Sequence, residues 1–273
     1  MIAVDRRGRL GNHLFQWAFA TAASRRLGTS FVMDHDTLAP LFDLAVHLRP
    51  DRRARGLVWL RGRGSRAPLV EVGNEEEPAD VLAALRDGTR YSGFFQSEDY
   101  FAEHADAVRR AFAVKDEYRR RFEELYGQLA ESGYVAVHLR RGDYAEWKGG
   151  AALLPAEYIR RCIELAEPGD QPIVVVSDSI EDAKEELRDQ PGVRFETNDP
   201  IVDMQLLMHA RTCIVSNSTF AWWGAWLNRS PGRRVLAPRH WVGFRADEEW
   251  PCRVIPDSWE QVDVLAPGGE AAS

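Results

Sequence analysis

"YVAVHLRRGDY", residues 134–144, joins a short apolar run to one histidine, two adjacent arginines and an aspartate. Val135, Ala136, Val137 and Leu139 make too short a run for a typical helix, and the β-branched members suit a buried strand. His138, Arg140, Arg141 and Asp143 therefore fall at a strand end. Two readings fit that placement. One is a solvated turn. The other is an anion site, because an arginine fork matches phosphate oxygens two at a time.

Working outward, the residues after 132 alternate regularly. Strand "PIVVVSD" precedes helix "EDAKEELRDQPG", strand "VRFE" precedes helix "DPIVDMQLLMHA", and strand "CIVS" precedes helix "AWWGAWLN". A helix opened by Pro155 lies between the first two strands, and "RRVLAP" is a further strand. Such alternation predicts a parallel sheet with helices on both faces. Ligands then bind beyond the carboxyl ends of the strands. Three polar clusters fall there: "HLRRGDY", "SDS" at 177–179 and "SNSTF" at 216–220. Ser216, Ser218 and Thr219 offer hydroxyls beside the free N–H groups of a helix start, although the same residues also suit an N-cap. Asp178 either accepts hydrogen bonds from a base or ribose or caps the next helix. A phosphate-plus-nucleoside site accounts for all three clusters together.

The first half reads as a second α/β block. Strands are expected at "IAVD", "SFVMD", "LVEV" and "TRYSGFF", and helices at "NHLFQWAFATAASRRLG" (closed by Gly28), "PADVLAALRDG" and Glu98 to Val114. A charged helix over about 115–131 sets the expected boundary, giving domains 1–131 and 132–273. The segment 35–68 resists assignment, and its arginines from Arg52 to Arg66 read as an exposed loop. The tail "PGGEAAS" reads as disordered.

With 273 residues and 45% apolar content the chain has enough material for real cores. A net charge of −7 argues against a general affinity for nucleic acid or anionic membranes, so an anion site must be local. The three cysteines, Cys162, Cys213 and Cys252, are widely spaced and lack a CxxC, which points to reduced thiols and a cytosolic compartment. No signal-peptide pattern and no run of 18 apolar residues is present, so no transmembrane segment is expected.

Four stretches, "GRLGNHLFQWA", "GFFQSEDYF", "HLRRGDY" and "SNSTFAWWGAWLN", resemble the motifs of the α-1,2-fucosyltransferases, glycosyltransferase family 11, in that family's order. The resemblance implies an α/β fold of GT-B type, two Rossmann-like domains facing across a cleft. It also implies a GDP-fucose donor held by the C-terminal domain and transfer, with inversion, to the 2-hydroxyl of a terminal galactose. The acceptor implied is a galactose-terminated oligosaccharide or glycolipid-linked glycan, met in the cytoplasm or at the inner membrane surface. By the same resemblance Arg140 and Arg141 grip the diphosphate, His138 and Asp178 lie at the nucleoside, and Ser216, Asn217, Ser218, Thr219 and Phe220 complete the donor pocket. Gly11, Asn12 and His13 fall on the acceptor side. His13 stands where the family usually carries glutamine.

The chemistry also follows from the residues. Departure of a diphosphate leaves growing negative charge, which either a divalent cation or fixed arginines and helix starts must stabilise. The pattern "DHD" at 34–36 suits a metal, but it lies in the other block from the arginines. Arginine catalysis without metal or other cofactor is expected, with Arg140 as the catalytic member of the pair. Asp143 is the nearest carboxylate in sequence to act as base, or else a salt-bridge partner. Asn12 either orients a substrate or caps the first helix. Trp222, Trp223 and Trp226 have the spacing of core packing. Alternatives are a transferase for another GDP-sugar, a non-catalytic nucleotide-binding module and, weakest, a nucleic-acid binder.

Overall fold

The computed structural model describes residues 1–44, 67–144 and 147–265. The arginine segment 52–66 and the tail from 267 lie outside them. The chain divides into two compact units, Met1–Lys115 and Asp116–Ser273.

In the first unit β1 (Ile2–Val4), β2 (Phe31–Val32), β3 (Leu69–Glu71) and β4 (Arg90–Ser92) form a parallel sheet in the order β2-β1-β4-β3. Helix α1 (Leu10–Arg26) follows β1 and is apolar on nearly every face, so it is buried, with Leu14, Phe15, Trp17, Ala18 and Phe19 shielded from solvent. It starts two residues earlier than expected. Arg9 occupies the N-cap position without a side-chain cap bond, which places Asn12 inside the first turn and excludes its N-cap role. At the other end Gly28 adopts a left-handed φ of 61°, as a helix-closing glycine should. Helix α2 is Pro78–Ala83. The helix expected from Glu98 to Val114 is instead two 3-10 turns, Glu98–Tyr100 and Ala102–His104, followed by α3 (Ala105–Ala111). Phe101, at φ −138°, breaks the run, and its ring is buried.

The second unit opens with α4 (Asp116–Ser132), so the boundary lies some sixteen residues before the expected one. The reason is tertiary. Tyr126 donates to Glu196 at 2.7 Å, Phe122 stacks on His209 at 4.7 Å, and Gln205 donates to the Tyr118 carbonyl at 3.1 Å. Charge density along the helix concealed this apolar seam.

Six parallel strands follow: β5 (Val135–Leu139), β6 (Ile173–Ser177), β7 (Val193–Glu196), β8 (Thr212–Ile214), β9 (Arg234–Pro238) and β10 (Glu260–Val262), ordered β10-β9-β8-β5-β6-β7. Strand β10 escaped the sequence reading, since three residues without β-branched enrichment carry little strand signal. Helices α5 (Ala156–Ala166), α6 (Ile180–Glu186), α7 (Pro200–Met208) and α8 (Thr219–Leu227) connect them. Val135, Val137, Leu139, Ile173 and Val175 pack with Tyr158, Ile159, Cys162 and Ile163 of α5 in one apolar cluster. Trp222, Trp223 and Trp226 are buried ring on ring, and the Trp222 indole N–H donates to the Val254 carbonyl at 2.7 Å. They are core, as their spacing predicts. Strands β8, β5 and β6 are adjacent in the middle of the sheet, and they are the three whose carboxyl ends carry the polar clusters.

Candidate functional site

His138, the penultimate residue of β5, is buried, and its Nδ1 lies 2.8 Å from the Ser216 hydroxyl at the end of β8. Its ring faces Phe220 at 5.6 Å. Burial, reinforced by the charges of Arg140 and Arg141, pushes the imidazole down to about 3. His138 is therefore an uncharged hydrogen-bonding ring at neutral pH and not a proton shuttle.

The two arginines part company at the strand end. Arg141 turns into the protein. Its Nε donates to Glu186 Oε1 at 2.6 Å, a terminal nitrogen donates to Oε2 of the same carboxylate, and another meets the Arg140 carbonyl at 3.0 Å. The side chain is 7% exposed, and its fork is paired with Glu186. Arg140 is partly buried at the strand end, its side chain 14% exposed. It pairs with Asp143 one 3-10 turn along, lies 3.0 Å from Asp178 Oδ2, and sits over the Tyr144 ring at 5.4 Å.

Asp178, after β6, organises this loop. Its Oδ1 accepts the Arg141 backbone N–H at 2.8 Å while Oδ2 meets Arg140, so both oxygens have partners inside the protein. Gly142 packs so closely that a Cβ there would lie 2.3 Å from Oδ2. Glycine at 142 is thus a requirement of the Asp178 contact. Asp143 takes the salt-bridge place that its sequence reading allowed.

Across the neighbouring strand, the segment Ser216–Phe220 opens α8. Ser218 occupies the N-cap position with extended backbone but makes no side-chain cap bond, so its hydroxyl is not used as a cap. Asn217 is buried. Its Nδ2 donates to the Ala152 carbonyl at 2.9 Å, its backbone carbonyl accepts from the Tyr144 hydroxyl at 3.1 Å, and its side-chain oxygen has no partner among the described residues. The Tyr144 contact ties the arginine loop to the start of α8. The geometry gathers a cationic fork, a helix N-terminus and a neutral imidazole at one sheet edge, which is the equipment for holding a phosphate-bearing ligand.

In the first unit, His13 and Gln16 hold the loop that precedes α1, and Asn12 accepts from Gln96 after β4. His13 Nε2 lies 3.0 Å from the Gly8 carbonyl and Nδ1 lies 2.8 Å from the Thr37 hydroxyl. Because the carbonyl can only accept, Nε2 carries the proton and Thr37 donates to Nδ1. Burial lowers the affinity of His13 for a second proton. Gly11 is buried beneath this turn. Asp34 of the "DHD" pattern pairs with Arg6 at 3.1 Å and accepts the Asp36 backbone N–H at 3.1 Å. Among the described residues no three His, Cys, Asp or Glu side chains gather as metal ligands would.

Two partners escaped the sequence reading. Glu186 is one acid among several on α6, with nothing in its spacing to single it out. Gln96, which donates to Asn12 at 2.7 Å, lay inside a recognised motif but had no assigned role.

Known proteins share this fold. The structure is similar to the fucosyltransferase NodZ from Bradyrhizobium, with a TM-score of 0.55 at 17% identity over 82% of this chain and 91% of that one. It is equally similar to POFUT1 in complex with GDP-fucose, with a TM-score of 0.55 at 12% identity over 86% and 96% of the two chains. These likenesses identify the α/β fold of the GT-B fucosyltransferases. In sequence the chain is 27% identical to the O-antigen biosynthesis glycosyltransferase WbnK of Escherichia coli over 64% of its length, covering 61% of that protein. It is 29% identical to an alpha-1,2-colitosyltransferase of Escherichia coli over 70% of its length, covering 68% of the relative. It is also 29% identical to the human galactoside alpha-(1,2)-fucosyltransferase 1 over 81% of its length, covering 63% of the relative. The profile of glycosyl transferase family 11 matches residues 86–245, more than half of the chain, and this protein belongs to that family.

Proposed function

We propose that the protein transfers L-fucose from GDP-fucose to the 2-hydroxyl of a terminal galactose, with inversion and without a metal ion. The observation that carries this reading is Arg140, presented at the end of the central strand beside the start of α8 and oriented by Asp178. In the reaction the bond from the fucose anomeric carbon to the diphosphate breaks while the acceptor oxygen attacks from the opposite face. Charge grows on the departing diphosphate, and the Arg140 fork with the α8 N–H groups offsets it. His138 contributes as a neutral ring near the same edge. Asp143 is the carboxylate assigned to the acceptor proton, and its pairing with Arg140 gives way when the diphosphate takes the guanidinium.

The named relatives support the linkage and a galactoside acceptor; the acceptor proposed here is an oligosaccharide or glycolipid-linked glycan ending in galactose. One specific observation favours a second reading: the colitosyltransferase is as similar as the human fucosyltransferase, so a related GDP-sugar is the competing donor. The buried thiols Cys162 and Cys213 support work in a reducing compartment, the cytoplasm or the inner membrane surface, and no helix among the described residues is long and apolar enough to cross a membrane. Incubation with GDP-fucose or alternative GDP-sugars and a β-galactoside panel, with and without EDTA, tests the proposal. GDP release with an α-1,2-linked product in EDTA supports it. Release only after manganese is added would transfer the role of Arg140 to a metal site.

A further inference from the structure

The two elements assigned to the departing diphosphate come from different strands. Arg140 leaves the end of β5, and α8 starts after β8. These strands are neighbours, paired at Val137 and Ile214, so the ladder fixes their backbones but not the long Arg140 side chain beyond it. For both elements to act on one anion, the guanidinium must stand at a set distance from the helix start. Asp143 and Asp178 hold Arg140 through its N–H groups, and those are the groups for which a diphosphate competes.

Tyr144 holds the same guanidinium without using them. The 3-10 turn Gly142–Tyr144 closes as the Tyr144 N–H donates to the Arg141 carbonyl at 2.9 Å. That turn brings the ring back to Arg140, whose guanidinium carbon lies over it, 5.4 Å from the centroid. A cation over an aromatic face is held by its charge and spends no N–H group. The far end of the ring is tethered, since its hydroxyl donates to the Asn217 carbonyl at 3.1 Å. Ser218 is the N-cap of α8, and its carbonyl takes the first intrahelical bond, from the Trp222 N–H at 2.9 Å, so the Asn217 carbonyl has no place in the helix ladder. Asn217 is itself anchored, 1% exposed, with Nδ2 on the Ala152 carbonyl. One side chain therefore touches both elements.

We infer that Tyr144 is a positioning residue: tethered to the residue before the α8 N-cap, its ring sets the distance between the Arg140 fork and the first N–H groups of α8, so that both meet one diphosphate. The inference rests on the reading of Arg140 as the group that meets the departing diphosphate. Tyr144 is only partly buried, so its hydroxyl needs no protein partner for its own solvation, and a phenylalanine would fill the same space. What the hydroxyl adds is the tether.

The test removes the tether and keeps the ring. Tyr144→Phe should fold, with a melting temperature close to wild type, and should bind GDP roughly fivefold more weakly by calorimetry, the scale of one hydrogen bond. If the residue acts through Arg140, that loss should shrink to under about twofold in an Arg140→Lys background, where there is no fork to aim. A merely structural tyrosine would cost the same in both backgrounds, and that result would overturn the inference, as would a folded Tyr144→Phe variant with wild-type GDP affinity. The ligand-independent readout is the NMR signal of the Arg140 Nε–H, assigned through its loss in Arg140→Lys. The ring should shift that signal in the wild type, Tyr144→Leu should abolish the shift, and Tyr144→Phe should reduce it as the untethered ring moves. An Arg140 signal unchanged in Tyr144→Phe would overturn the inference whatever the protein binds. Wild-type GDP affinity in Arg140→Lys, with an Arg140 signal that does depend on the Tyr144 hydroxyl, would instead defeat the placement of the diphosphate and leave the tether itself supported.

Discussion

Arg141 grips Glu186 with both prongs of its guanidinium, whereas its neighbour Arg140 stands at the strand end between Asp143 and Asp178. Two adjacent residues of one type thus hold different positions, one internal and one facing the edge where the polar clusters meet. The difference follows from strand alternation, which sends consecutive side chains to opposite sides as the chain leaves β5.

Arg141→Met should therefore act on stability before it acts on chemistry. It leaves the partly buried Glu186 carboxylate without its partner, a loss of about 2–3 kcal/mol. Urea unfolding should show this directly. The double variant Arg141→Met with Glu186→Leu should recover most of the loss, and a double variant no more stable than the single would show that the pair does not act as a unit.

Gly142→Ala tests the contact beneath the loop. Its new Cβ would meet Asp178 at 2.3 Å, so the loop or the carboxylate must shift. A destabilisation of about 1–3 kcal/mol is expected, with weaker GDP binding by calorimetry because Asp178 orients Arg140. A fully stable variant that binds GDP like the wild type would contradict the tight packing at this point.

His138 makes stability depend on pH. The folded-state value, about 3, lies below the ordinary 6.5, so its contribution is complete above about 6.5 and is lost as the pH falls from there towards 3, where the unfolded chain takes up the proton. His13 and His209 are shifted down by burial too, so they add to the same slope. Unfolding free energy measured from pH 7 to 4 should decline, and His138→Gln should flatten the decline by up to about 1.4 kcal/mol per pH unit. An unchanged slope would mean that the imidazole is not buried as described.

Asp203 on α7 works in the opposite direction. Burial, with Glu196 and Asp199 nearby, raises its carboxyl to about 6 despite the Asn198 amide that donates to it at 2.9 Å. The charged form is disfavoured in the fold, so this group's contribution improves as the pH falls through 6. Asp203→Asn keeps the acceptor oxygen and removes the charge. It should stabilise the protein by about 1–2 kcal/mol at pH 7.5, after allowance for partial exposure, and make little difference at pH 4. Equal effects at both pH values would rule out a charge-based origin.

Much of the second unit was legible because its physics is local. Continuous Val and Ile runs read as buried parallel strands, and strand-helix alternation placed "HLRRGDY", "SDS" and "SNSTF" at one edge from the residues alone. The adjacency of β8, β5 and β6 in the sheet was not legible, since strand order is set by long-range packing. Nor was the division of labour between Arg140 and Arg141, because Glu186 is chemically indistinguishable from its acidic neighbours until α6 is docked. Asn12 moved from helix cap to first-turn residue because the turn at Gly8 lets the helix start at Leu10. The charged surface of α4 hid the Phe122 and Tyr126 seam that places it in the second unit.

The most direct measurement is transfer from GDP-fucose to a β-galactoside in EDTA, run in parallel for the wild type and Arg140→Lys, with circular dichroism to verify folding. Lysine keeps the charge and removes the fork. If Arg140 stabilises the departing diphosphate, the wild type transfers without metal and the variant falls in kcat by roughly a hundredfold, the scale of losing one well-placed donor to a developing anion. A folded Arg140→Lys enzyme that transfers fucose at the wild-type rate would contradict that role.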